Sequence, residues 1–69
     1  MTDICADRLR QARERAGVSQ RELARRLNVS QQSIAQHELG QRQPRPERLR
    51  ALAVALGVSC DYLVGLRDE

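Results

Sequence analysis

The side chains in this 69-residue sequence that could do chemistry fall into three groups. They are His37 with Cys5 and Cys60, twelve arginines without a single lysine, and the glutamines Gln31, Gln32 and Gln36. A tetrahedral metal site would need His37, both cysteines and a carboxylate to converge with no short ligand spacing, so no metal site is expected. A thiol and histidine act as a nucleophile pair only within hydrogen-bond reach, and the spacing gives no reason for them to meet. No enzyme, cofactor or small-molecule ligand is expected. The two thiols stand near opposite ends of the chain, unlike the dense framework of a secreted mini-protein. Reduced thiols are the expectation, and a disulfide joining the ends is the alternative.

The arginines speak of a polyanion. Each carries a planar, always-charged fork of donors that suits phosphate oxygens and guanine edges, although a coding bias for arginine would give the same count. The net charge is +3, but residues 4–50 balance to +6 and residues 51–69 to −2. A basic body with an acidic end predicts one face for the polyanion. Tyr62 is the only aromatic residue, which excludes a binder that stacks single-stranded bases on several rings. No apolar run approaches the ~20 residues that span a bilayer, and no charged-then-apolar leader is present. The chain is expected to be soluble and intracellular.

These side chains need elements to position them, and the sequence predicts an all-α chain in one domain over 1–69. No stretch alternates apolar and polar residues with β-branched enrichment, whereas Gly17, Gly40, Gly57 and Gly65 each follow an apolar-periodic stretch. A first helix is predicted over 4–16, capped by Thr2 or Asp3, with Cys5, Leu9, Ala12 and Ala16 on one face. Ser19-Gln20-Arg21-Glu22 reads as a capping box, opening a second helix over 20–27 that buries Leu23, Ala24 and Leu27. Asn28 ends it, and Ser30 caps a third helix over 31–39. Pro46 opens a fourth helix with the stripe Leu49, Leu52, Ala53 and Leu56, and Ser59 caps a short fifth over 60–64.

The second and third helices, joined by Asn28-Val29-Ser30, form a helix-turn-helix pattern spanning 20–39. Ala24 is small where the helices cross, Asn28 suits a left-handed backbone, and Leu23, Leu27, Val29 and Ile34 plug the angle between them. The chain here resembles the lambda-repressor-like helix-turn-helix domains of the Cro and cI type, particularly the DNA-binding domains of lambdoid phage repressors. The resemblance runs from Leu9 to Leu63. Its most specific pieces are Ser19-Gln20-Arg21-Glu22-Leu23-Ala24, Gln31-Gln32-Ser33-Ile34-Ala35-Gln36, and the segment Ala53-Val54-Ala55-Leu56-Gly57-Val58-Ser59-Cys60-Asp61-Tyr62-Leu63. It implies a compact five-helix bundle that binds operator DNA as a dimer, in the cytoplasm of a prokaryote, encoded by the cell or by a phage, and on the nucleoid when bound.

The residue chemistry agrees. A glutamine amide offers the donor and acceptor needed for bidentate contact with adenine N6 and N7 in the major groove. Gln31 and Gln32 open the third helix, Gln36 lies one turn beyond Gln32, and Ala35 is placed to touch a thymine methyl or avoid a clash. The plainer alternative is that glutamines are good helix formers on a solvated face. Gln20, at the positive end of the second helix, matches a family position for backbone contact. Arg42 and Arg45 are the leading cations for phosphate or a narrowed minor groove, with Arg10, Arg21 and Arg48 secondary. Any one of them is as well explained by a solvated surface charge.

The resemblance also implies an ion pair between Glu38 and Arg13, in keeping with the need of a core-side carboxylate for a partner. Three residues depart from the family pattern. His37 replaces an aliphatic or aromatic residue and is expected half-buried with a hydrogen bond, a pH sensor being the alternative. Leu39 replaces a polar or basic residue, which removes one backbone contact, and Arg45 stands at an N-cap where Ser or Asp is usual. Val58, Tyr62, Leu63, Val64 and Leu66 are the candidate dimer surface, or else they close the bundle over the first helix. The expected function is a sequence-specific regulator of transcription, a repressor reading a palindromic operator as a homodimer. An antitoxin-like or other protein-interaction module on the same fold is the alternative, and a nonspecific nucleoid or RNA binder is a third option.

Overall fold

Side-chain caps and left-handed residues divide the chain into five helices. In the computed structural model, which describes residues 3–68, these are α1 (Ile4–Arg15), α2 (Gln20–Leu27), α3 (Gln31–Glu38), α4 (Pro46–Leu56) and α5 (Cys60–Leu63). No strand occurs among the described residues. The Asp3 carboxylate caps α1, accepting from the backbone N–H of Cys5 and Ala6 at 3.0 and 3.2 Å. The other suggested cap, Thr2, lies outside the described residues. Ser19, Ser30 and Ser59 each accept from the backbone N–H three residues on, in α2, α3 and α5. Each such cap contributes ~1 kcal/mol.

Three predicted helices end one residue early, because Ala16, Leu39 and Val64 are C-caps. Ala16 and Leu39 keep right-handed angles, but each is followed by a glycine at positive φ that turns the chain away. Asn28 is the sole non-glycine residue at positive φ among those described, at φ 57° and ψ 45°. There the N–H of Val29 reaches back to the Ala24 carbonyl at 3.0 Å. An L-residue in this conformation costs roughly 1–2 kcal/mol unless, like Asn, it has a short polar side chain that bonds locally.

The core joins Leu9 and Ala12 of α1, Leu23 and Ala24 of α2, Ile34 of α3, Leu52, Ala53 and Leu56 of α4, and Tyr62 and Leu63 of α5. Leu27, Val29 and Leu49 pack against it half-buried. Ala24 of α2 is buried, as its small side chain predicts for a residue between packed helices, and Leu23 and Ile34 are fully buried. Ala16, expected on the buried face, is exposed because α1 has ended. Cys5 and Cys60 are free thiols. Burial, helped by the neighbouring Asp3 carboxylate, pushes the Cys5 thiol above its ordinary value, so it is protonated at neutral pH and a poor nucleophile.

The capping box is only half formed. Glu22 supplies the N–H that Ser19 Oγ accepts at 3.0 Å, but its carboxylate turns along the helix to Arg25, at 2.9 and 2.6 Å, and to Arg26, at 3.0 Å. Hydrogen bonds from Arg25 first and Arg26 second lower the Glu22 pKa to about 2. Because this folded value lies below that of an unfolded glutamate, the pairing supports α2 at neutral pH and the support fades as pH falls towards about 2. A carbon-detected NMR titration at low salt should place the Glu22 carboxyl midpoint near 2. A midpoint in the ordinary carboxylate range would mean that the arginines do not hold it in solution.

Candidate nucleic-acid interface

α3 is eight residues long, about 12 Å at the usual rise, and a helix's diameter of about 10–12 Å with side chains fits the ~12 Å width of a B-form major groove. Its inward side carries Ile34, His37 and Glu38, all buried. Its outer side presents Gln31 and Gln32 exposed, with Ala35 and Gln36 half-buried. Ser30 and Ser33 hydroxyls bond each other at 2.9 Å, which fixes the first turn that carries the two glutamines. The four expected base-reading residues therefore share one accessible surface.

Behind that surface sits a polar knot. Glu38, with a side chain 4% exposed, accepts Arg13 Nε at 2.6 Å on one oxygen and Arg13 Nη2 at 3.1 Å on the other. Arg13 also donates from Nη1 to the Val18 carbonyl at 2.9 Å, so one guanidinium ties α1, the loop before α2 and the end of α3. The hydrogen bonding that Arg13 donates to Glu38 raises the Arg13 pKa above its already high ordinary value, against the opposing effect of burial. Gln20 completes the knot, donating from Nε2 to Glu38 at 3.1 Å. Expected only as a phosphate contact, Gln20 is thus also a brace between α2 and α3. One amide proton and its backbone N–H remain for a further acceptor.

The loop from α3 to α4 is held from two sides. Gly40 has φ +74°, and a Cβ there would lie 3.2 Å from Cβ of Asp3. The Asp3 carboxylate that caps α1 also accepts from Gln43 Nε2 at 2.7 Å. On the other side the Arg42 carbonyl lies 2.8 Å from His37 Nδ1, and Arg48 Nη1 lies 3.4 Å from His37 Nε2. Between them is a polar cleft of about 430 Å³ lined by His37, Arg42, Gln43, Arg45, Glu47 and Arg48. Arg42 and Arg45 are exposed. Arg45 makes no side-chain cap on α4, so the positive end of that helix is left open to an anion. His37 is 3% exposed, not half-buried, because the loop and α4 close over a ring that both sides bond.

The secondary arginines separate. Arg10 is exposed, 3.7 Å from Asp7, on the α1 stripe that begins at Asp3 beside the loop. Arg21 is exposed in the first turn of α2, and Arg48 is half-buried in the cleft. Arg8 has a structural role that sequence reasoning missed. It lies 4.7 Å over the Tyr62 ring, donates to the carbonyls of Tyr62 and Arg67, and faces Asp68 at 3.7 Å. Leu39 is 69% exposed.

Of the two readings of the C-terminal apolar residues, Tyr62 and Leu63 follow the one in which they close the bundle, which corrects their place in the candidate dimer surface. Tyr62 is 2% and Leu63 0% exposed, because α5 closes the core against α1 and α4. Val58 is half-buried against that core. Only Leu66 and Val64 of the five offer free apolar surface, joined by Ile4, against which Gly65 packs.

The model of the helix-turn-helix family matches residues 9–63, most of the chain. The chain belongs to the Cro/cI-type helix-turn-helix family. It is 39% identical over 62 residues to the HTH-type transcriptional regulator ImmR of Bacillus subtilis, covering 90% of this chain and 48% of that protein. A prophage-derived uncharacterized HTH-type transcriptional regulator of the same organism, YonR, is 34% identical over 58 residues, covering 84% of this chain and 54% of its own length. The chain thus spans about half the length of the curated relatives it matches. Among solved structures, the P22 c2 repressor protein in complex with synthetic operator 9T superposes with a TM-score of 0.87 at 33% identity, covering 96% of this chain and all of that one. No helix among the described residues is long and apolar enough to cross a membrane.

Proposed function

We propose that this domain is a sequence-specific reader of double-stranded DNA that acts in a transcriptional repressor. The observation that carries the reading is the exposed amide surface of Gln31, Gln32 and Gln36 on a helix braced from behind by the Arg13–Glu38–Gln20 knot. In this reading α3 enters the major groove, where the glutamines bond base edges and Ala35 meets a thymine methyl or leaves room for it. Arg42 and Arg45, with the open end of α4, hold one backbone segment, and Gln20 with Arg21 holds another at the start of α2. Arg10 and Arg48 add positive charge beside the loop. The likeness to a repressor solved with its operator supports this orientation.

The domain pairs on a palindromic site as a homodimer, since one helix reads few base pairs and two-fold pairing places the second helix about 34 Å away. The apolar surface for pairing is Leu66 with Val64 and Ile4, with Val58 at its edge, in place of Tyr62 and Leu63. Residues 1–69 form one domain in this reading, with no catalytic group, cofactor or metal, working in the cytoplasm of a bacterium.

Salt dependence tests the reading against a protein-interaction module. With ~4 phosphate contacts per protomer, log K should fall with log salt at a slope near −3.6 per protomer. Fluorescence anisotropy on a short duplex measures it. A flat response, with no binding to duplex at low salt, would favour the interaction module.

A further inference from the structure

The polar cleft beside α3 contains a histidine that none of the DNA contacts above uses. His37 is buried on the inward side of α3 and lines a cleft that is otherwise formed by Arg42, Gln43, Arg45, Glu47 and Arg48. Its two ring nitrogens have partners of opposite kind. A backbone carbonyl can only accept, so Nδ1, 2.8 Å from the Arg42 oxygen, carries the proton. A guanidinium can only donate, so Nε2, 3.4 Å from Arg48 Nη1, offers its lone pair. The ring is thereby the neutral Nδ1–H tautomer, with both nitrogens occupied.

We propose that His37 is a positioning residue for DNA binding, a clamp that sets the phosphate-contacting loop at a fixed distance from the base-reading helix. The inference rests on the DNA-reading function proposed above. One ring joins three segments, namely the last turn of α3, the loop at Arg42 and the first turn of α4 at Arg48. The Asp3–Gln43 hydrogen bond holds the same loop from α1, leaving the arginines free to face outward. Phosphate contacts fix the register in which a recognition helix meets base edges, so the spacing between this loop and α3 determines whether both sets of contacts are made together. His37 touches neither phosphate nor base in this arrangement. It acts through the Arg42 backbone and the Arg48 guanidinium.

Two measurements test the clamp. In the free wild-type protein, nitrogen-15 NMR of the imidazole near neutral pH should show a protonated Nδ1 and a bare Nε2. The opposite tautomer would overturn the clamp without reference to DNA. On DNA, wild type, His37→Phe and His37→Asn are compared at a temperature where each is folded, using a duplex carrying the selected site and a scrambled duplex of equal length. Phe keeps the ring shape and removes both hydrogen bonds, whereas the Asn amide can still donate to the Arg42 carbonyl. His37→Phe should bind both duplexes about 10-fold more weakly near 0.1 M salt and lose about 0.9 from the salt slope per phosphate contact released. His37→Asn should recover most of that slope. A His37→Phe protein with the wild-type slope, weakened only as far as its stability falls, would reduce His37 to a core residue. If wild type itself shows no salt-dependent binding to either duplex, the DNA reading fails and the positioning role fails with it, even where the tautomer is as expected.

Discussion

Arg13→Met should lower the unfolding free energy in urea by about 3 kcal/mol, with the slope of the transition unchanged. The size follows from what Met leaves behind. Glu38 is buried and accepts three hydrogen bonds, two from Arg13 and one from Gln20, and the Val18 carbonyl accepts a third from the Arg13 guanidinium. Removing Arg13 strands a buried carboxylate with only the Gln20 amide, and an uncompensated buried charge costs far more than the net contribution of the intact pair. The companion variant Arg13→Met with Glu38→Met should therefore recover part of the loss, because it removes the stranded charge and leaves only the Val18 carbonyl and the Gln20 amide to find other partners. Equal stability of Arg13→Met and wild type would show that the knot does not hold the helices in solution.

Gln32→Ala should cost about 1–3 kcal/mol on the best DNA site and little on random duplex, which relaxes sequence preference without weakening backbone attraction. Gln32 is exposed in the first turn of α3 and has no hydrogen-bond partner among the described residues, so its removal leaves the fold intact. That separates the effect from the one at Arg13, which acts through stability. Competition binding with the selected and scrambled duplexes reads the difference directly. Uniform loss on both would point to a nonspecific nucleic-acid binder, for which the glutamines are simply solvated helix formers.

The helix-turn-helix was legible because its determinants are local. Ser19, Asn28 and Ser30 act on backbone within a few residues of themselves, and α2 begins and ends at the residues their types predict. What escaped depends on contacts between distant parts of the chain. Arg8 bonds carbonyls of Tyr62 and Arg67, and a carbonyl carries no sequence signature. For Tyr62 and Leu63 both a dimer surface and closure of the bundle stayed open, since a four-residue helix has too few positions to display a periodic face. His37 and Gln20 each stand at positions whose type allowed one role, and the fold supplies the second through Arg42, Arg48 and Glu38. The residues proposed to read bases were legible as types on an exposed helix face, and their order along a groove is a property of the complex.

The central claim is that α3 reads base sequence, and selection of bound sites from a random pool of duplex DNA tests it most directly. The expected result is an enriched palindrome with adenine-containing half-sites one helical turn apart, in keeping with glutamine amides on two symmetry-related helices. A pool that emerges from repeated rounds with no enriched sequence would contradict it.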